Sequence, residues 1–121
     1  MNNLEPDDVE FQFRFELAQI AAMKANLIEP RAIAAHYDRT TDTIVIRLKS
    51  GAIFSFPPSI AQGLSGASPI DLEQIEITPM GDGLHWEKLD ADFTVLGLLS
   101  GVFGTRKWMS TLEMQWIRNA G

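Results

Sequence analysis

The sequence predicts an α+β fold: an antiparallel meander sheet of four to five strands, covered by an N-terminal helix and two C-terminal helices. Three observations carry this. Between Arg31 and Pro57 lie the strand-like runs "RAIAAHY", "TIVIRLK" and "AIFSFP", parted by turn residues. Before Pro30 the chain is rich in Ala, Leu, Met, Gln and Lys, all good helix formers. Near the C-terminus Trp108, Met109, Leu112 and Trp116 recur at helical spacing.

The first element poses a question of period. "VEFQFRFEL" alternates as a strand would, with Val9, Phe11, Phe13, Phe15 and Leu17 apolar and Glu10, Gln12, Arg14 and Glu16 polar. The helix-rich "ELAQIAAMKANL" follows at once, and Phe13, Leu17 and Ile20 also share one helical face. Asp7, Asp8 and Glu10 suit a helix N-terminus, where the backbone dipole favours negative charge. One helix from about Asp7 to Asn26 is therefore expected, ended by Pro30.

In the middle run Ile44, Ile46 and Leu48 alternate with Val45, Arg47 and Lys49, which gives one core face and one mostly wet face. "DRTTD" joins the first two runs, and Ser50-Gly51 joins the last two as a tight-turn pair. Pro57 and Pro58 stop the ladder, since proline lacks the N–H that pairing needs. "SIAQGLSGAS" reads as a short helix or turn. Ser68 then caps "PIDLEQ", with Pro69 at the first helical position and Asp71 three residues after the cap. "IEITPM" reads as a fourth strand with Ile75 and Ile77 inward. Thr94 is placed to cap the apolar helix "TVLGLLSGVF", which Gly104 is expected to close. Thr105 starts the last helix, whose aromatic stripe through Trp116 is expected to face the core.

The stretch "GDGLHWEKLDADF", Gly81 to Phe93, concentrates the polar chemistry. Gly81 and Gly83 permit a tight turn. Leu84 and Trp86 alternate with His85 and Glu87, as in a short strand with one buried face. "KLDADFT" is expected to leave the sheet and deliver Leu89 and Phe93 to the core, with Asp90 and Asp92 as turn and capping groups. The stretch thus reads as a strand-to-helix corner, with His85 partly exposed or bonded to a neighbouring carboxylate. Its candidate interaction or polar-cluster residues are His85, Trp86, Glu87, Asp90 and Asp92.

Several chemistries find no support. Asp82, Asp90 and Asp92 lack the central glycine and closing glutamate of a calcium loop. Only His36 and His85 could serve a zinc site as nitrogen ligands, and the chain has no cysteine. No serine sits in a G-x-S-x-G elbow, and no glycine-rich loop cradles phosphate between strand and helix. No catalytic residue, metal or cofactor is therefore assigned, and the protein is expected not to be an enzyme. A small enzyme or metal binder using His36, His85, Asp90 and Asp92 is the alternative.

Charge points the same way. The net charge is −6, and both halves of the chain are acidic. Phosphate contacts supply most non-specific nucleic-acid affinity, so direct nucleic-acid binding is not expected. An acidic surface suits a basic protein partner or simply solubility, which is the commoner reason; a protein partner is expected, and a homo-oligomer is left open. The acidic start "MNNLEPDDVEF" lacks the basic and apolar regions of a signal peptide, and no apolar run is long enough to span a membrane, so a cytoplasmic location is expected.

Four stretches together are specific: "FSFP" at 54–57, "AQGLSGAS" at 61–68, "GLHWEKLDADF" at 83–93 and "GLLSGVFGTRKWM" at 97–109. With them the chain resembles the bacterial domain-of-unknown-function family 2442 (DUF2442) from about Arg31 to Met109. "FTVLGLL" departs from the family's usual proline-bearing form, which alters the helix start. The resemblance implies a small α+β domain whose relatives occur alone, fused to a helix-turn-helix domain, or encoded beside a second small protein as toxin–antitoxin pairs are. It implies no catalytic residue. A single domain over 1–121 is expected, with 1–29 as a helical extension, 30–109 as the family-like core and 110–121 as the end of the last helix. The function expected is that of a protein-interaction or regulatory module, of which an antitoxin-like subunit is one form.

Overall fold

The computed structural model describes residues 6–120, with side chains described for 7–21 and 29–120. The α+β class holds, but the sheet divides in two. Strands β1 (Ala32–Asp38), β2 (Thr43–Leu48) and β3 (Ile53–Phe56) form one antiparallel sheet in the order β1-β2-β3. Strands β4 (Glu76–Ile77), β5 (Gly83–Trp86) and β6 (Ala91–Thr94) form a second, also in sequence order. The expected four- to five-stranded meander is corrected accordingly. Its ladder stops at Pro57 and Pro58, and the chain then runs through a 3₁₀ turn (Pro58–Ile60) and the short helix α2 (Pro69–Leu72). When strand structure resumes at Glu76 it starts a new ladder. The two sheets meet where Ala32 N donates to Gly81 O at 2.7 Å.

Register explains which residues enter the core. In the first sheet Tyr37–Ile44–Phe56 and Ala35–Ile46–Phe54 form rows across the strands, and Ala32 pairs with Leu48. These rows face inward, with Ile44, Ile46, Leu48 and Phe56 buried. From the second sheet come Leu84, Trp86 and Ala91. With Leu64, Leu72, Val95 and Leu98 they complete one continuous apolar cluster.

The caps read from sequence are present. The Ser68 hydroxyl accepts from Asp71 N at 3.3 Å, and that of Thr94 accepts from Gly97 N at 3.0 Å. Helix α3 (Val95–Leu99) is shorter than expected, because Gly101 rather than Gly104 takes the left-handed conformation after it (φ 83°). Helix α4 (Arg106–Ala120) is fastened at its start. Thr105 Oγ1 accepts from Trp108 N at 3.2 Å, and Trp108 Nε1 donates to Ile60 O at 2.8 Å. Leu112 is buried, but Met114, Trp116 and Ile117 are exposed. The aromatic stripe therefore faces the core only as far as Leu112, since the small core ends beneath it.

The larger correction concerns α1 (Pro6–Ile28). It is one helix, yet it does not cover the sheet. Val9, Phe11, Phe13, Phe15, Leu17 and Ile20 are 50–71% exposed. At about 100° per residue, Val9, Phe13, Leu17 and Ile20 fall on one side while Phe11 and Phe15 fall on the other. Phe11 and Phe15 stack on each other, with ring centroids 6.4 Å apart. The alternation that resembled a strand divides the apolar side chains between two opposite stripes. Among the described residues no helix is long and apolar enough to cross a membrane.

Candidate functional site

The polar residues of Gly81–Phe93 lie on a β-hairpin, not on an exit from the sheet. His85 pairs with Asp92 and Trp86 with Ala91, so the chain doubles back where a strand-to-helix corner was expected. Asp90 makes the reversal: it sits at φ 49°, a left-handed conformation that a short polar side chain tolerates, and its N–H reaches Glu87 O at 3.2 Å. Leu89 and Phe93 pack against the core as expected, but Phe93 does so from within β6. Asp90 and Asp92 therefore have separate roles, one in the turn and one on the strand.

Alternation then sorts the hairpin into two faces. Leu84 and Trp86 point into the core, and Trp86 is fully buried. Its indole meets Phe93 edge-on at 5.9 Å, and Nε1 donates to Leu72 O at 3.0 Å. On the outer face a row runs Glu76–His85–Asp92 across the three strands, with Glu87 two residues beyond His85. The His85 side chain is 32% exposed, and its Nδ1 lies 2.6 Å from Asp92 Oδ1.

This row is a carboxylate field around one imidazole. The hydrogen bond that His85 Nδ1 donates to the Asp92 carboxylate raises the His85 pKa above its ordinary value, partial desolvation opposes the rise, and the charges of Asp92, Glu76 and Glu87 add to it. A folded-state pKa above the unfolded one means that protonated His85 stabilises the fold below the ordinary pKa of 6.5. That contribution is lost as pH rises through the raised value. Melting temperature is accordingly expected to fall across this window, and in Asp92→Asn the step should shrink. Equal slopes in the two proteins would show that the pair does not couple to folding.

Glu76, His85 and Glu87 offer donor atoms that all lie within 4.8 Å of one another. With that spacing the three could share one metal ion, through one imidazole nitrogen and two carboxylate oxygens. Among the described residues the hydrogen-bond partner of the His85 ring is the Asp92 carboxylate.

The alternative set of His36, His85, Asp90 and Asp92 is not brought together as a group. His36 lies exposed on β1, opposite Val45 in the other sheet. Asp90 and Asp92 do share the rim of an open cavity of about 610 Å³ with Gln62, Phe93, Thr94 and Thr105. There Gln62 acts as a tie: its N–H donates to Phe103 O and its Oε1 accepts from Thr105 N, both at 2.8 Å. Asp82 is occupied elsewhere. It accepts from the Thr78 hydroxyl at 2.7 Å, which holds its pKa below the usual carboxylate value, and Arg31 approaches it at 3.8 Å. Sequence reasoning put Glu76 on a strand between Ile75 and Ile77 but missed it as a site residue, because no local signal pairs that strand with His85.

Two small antiparallel sheets closed by short helices around one buried tryptophan define the class: a compact α+β domain with a histidine–carboxylate row on its outer surface. The chain belongs to the family described as "Protein of unknown function (DUF2442)", whose model matches residues 32–104. It is similar to a protein of unknown function from Rhodospirillum rubrum ATCC 11170, solved by crystallography. That likeness has 51% identity and a TM-score of 0.65, over 67% of this chain and 98% of the other. It is also similar to an uncharacterized protein from Chromobacterium violaceum, solved by solution NMR, with 29% identity and a TM-score of 0.63 over 92% and 95% of the two chains. None of the curated proteins matches the chain.

Proposed function

We propose that this chain is a non-enzymatic protein-interaction module, with α1 as its contact element. The observation that carries the reading is the exposure of six large apolar side chains along that one helix. Scattered apolar residues are ordinary on a protein surface, whereas a continuous group invites a partner. Isolated helices are marginal in water, and phenylalanine and valine are only moderate helix formers, so α1 gains most from a partner's cover.

Full-length protein and its Phe13→Asp variant are the test, used as bait in an extract of the native host. Phe13 is 61% exposed, so the substitution should leave the melting curve nearly unchanged. The intact chain is expected to retain a defined protein that the variant loses. Equal capture by both would remove α1 as the contact element.

A further inference from the structure

A second uncovered surface complements α1. On the outer face of the first sheet, register aligns Ala34–Arg47–Ile53 in one row and His36–Val45–Ser55 in the next. Ile53 is 64% exposed there, and Ile33 beside the β1 bulge is 58% exposed. Arg47 and Lys49 follow Val45 on the same alternation, are exposed, and have no carboxylate partner among the described residues. This face carries an exposed isoleucine on each edge strand, Ile33 on β1 and Ile53 on β3, and basic side chains along the central strand β2.

The helix has the opposite charge. Glu10 and Glu16 border the Val9–Phe13–Leu17–Ile20 stripe, Asp7 and Asp8 open the first turn, and these four acids outnumber the helix's two cations, Arg14 and Lys24. We infer that this stripe docks on the outer face of the first sheet of a second copy of the chain, and that the two copies exchange the contact reciprocally. The inference rests on the reading of α1 as the contact element and names its partner.

Three arguments favour a second copy. The described part of the helix is left uncovered by its own sheet, and the chain leaving it is tied down. Arg31 bonds Glu29 at 3.1 Å and Asp82 at 3.8 Å, and Lys49 N donates to Arg31 O at 2.8 Å. Pro30 fixes φ inside this three-residue connection. Helix-to-helix pairing would set acidic surfaces against each other, while helix-to-sheet pairing sets acid against base. The area also suffices. Four stripe side chains expose roughly 100 Å² apiece, and an equal area on each sheet gives a two-fold pair about 1,600 Å² in total, a standard interface.

Sedimentation equilibrium on the full chain tests this. The expected mass is twice the 13.5 kDa of one chain. Phe13→Asp, which spoils the helix, and Ile53→Asp, which spoils the sheet, should each give single-chain mass with an unchanged far-ultraviolet circular dichroism spectrum. An equal mixture of the two should regain the doubled mass at raised concentration, because the intact helix of one variant meets the intact sheet of the other. Arg47→Glu provides a second sheet variant should Ile53→Asp aggregate.

A full chain that stays at single mass at about 100 µM, above the weakest affinities usual for such an area, overturns the inference. So does an Ile53→Asp protein that remains doubled, since helices would then be pairing with helices, or a mixture that never regains the doubled mass. If the full chain is single while Phe13→Asp still loses a captured protein, self-docking fails and the role of α1 in partner binding stands.

Discussion

Trp86→Ala is expected to leave the protein largely unfolded. The indole is fully buried where β5 meets α2, edge-on to Phe93 and bonded to Leu72 O. Truncating a buried tryptophan costs about 3–5 kcal/mol, through lost transfer energy and the cavity left behind. Leaving the Leu72 carbonyl unpaired adds about 1–3 kcal/mol. The sum is comparable with the whole stability of a small domain, about 5–15 kcal/mol. Circular dichroism melts should show no cooperative transition, or one far below wild type. Trp86→Phe keeps most of the apolar area and loses the hydrogen bond, so it should fall between the two. A Trp86→Ala protein that melts normally would mean that the two sheets do not depend on this side chain.

Gly81→Ala is expected to be strongly destabilising for a change of one methyl group. Gly81 has φ 74°, and an added Cβ would stand 2.7 Å from Ala32 O. Left-handed conformation costs an alanine roughly 1–2 kcal/mol, and forcing an atom against rigid neighbours typically costs about 1–3 kcal/mol. Backbone, unlike a flexible side chain, cannot swing aside. The same site accepts the Ala32 hydrogen bond that joins the sheets, so relief of the clash comes at the expense of that bond. Gly51→Ala is the control, since Gly51 has φ 95° but nothing within 4 Å of an added Cβ. Denaturant midpoints should drop more for Gly81→Ala. Equal drops would show that the close approach carries no weight.

The legible parts of this sequence are those governed by local physics. The alternation of Ile44, Ile46 and Leu48 located β2 and its inner face, because a half-buried strand must alternate. Ser68 and Thr94 announced their caps by residue type alone. Leu84 and Trp86 were rightly placed inside, and His85 has both the partial exposure and the carboxylate partner expected of it. What stayed hidden depends on distant pairing. Nothing in "IEITPM" says that Glu76 will lie beside His85, and "KLDADF" hides its return strand because Asp90 spends one residue on a left-handed turn. For α1, the residue pattern could not reveal that its apolar positions would find no cover within the same chain.

Assembly of each sheet from strands consecutive in sequence has a kinetic consequence. Every strand pairing closes only a short loop, so each half can gain its hydrogen bonds early and at small entropic cost. The costly event is bringing the β1–β3 unit against the β4–β6 unit across the intervening segment from Pro57 to Ile75. Mutations inside β2 should therefore slow folding, while those at the seam near Ala32 and Gly81 should chiefly hasten unfolding. The seam is where the lifetime of the native state is set.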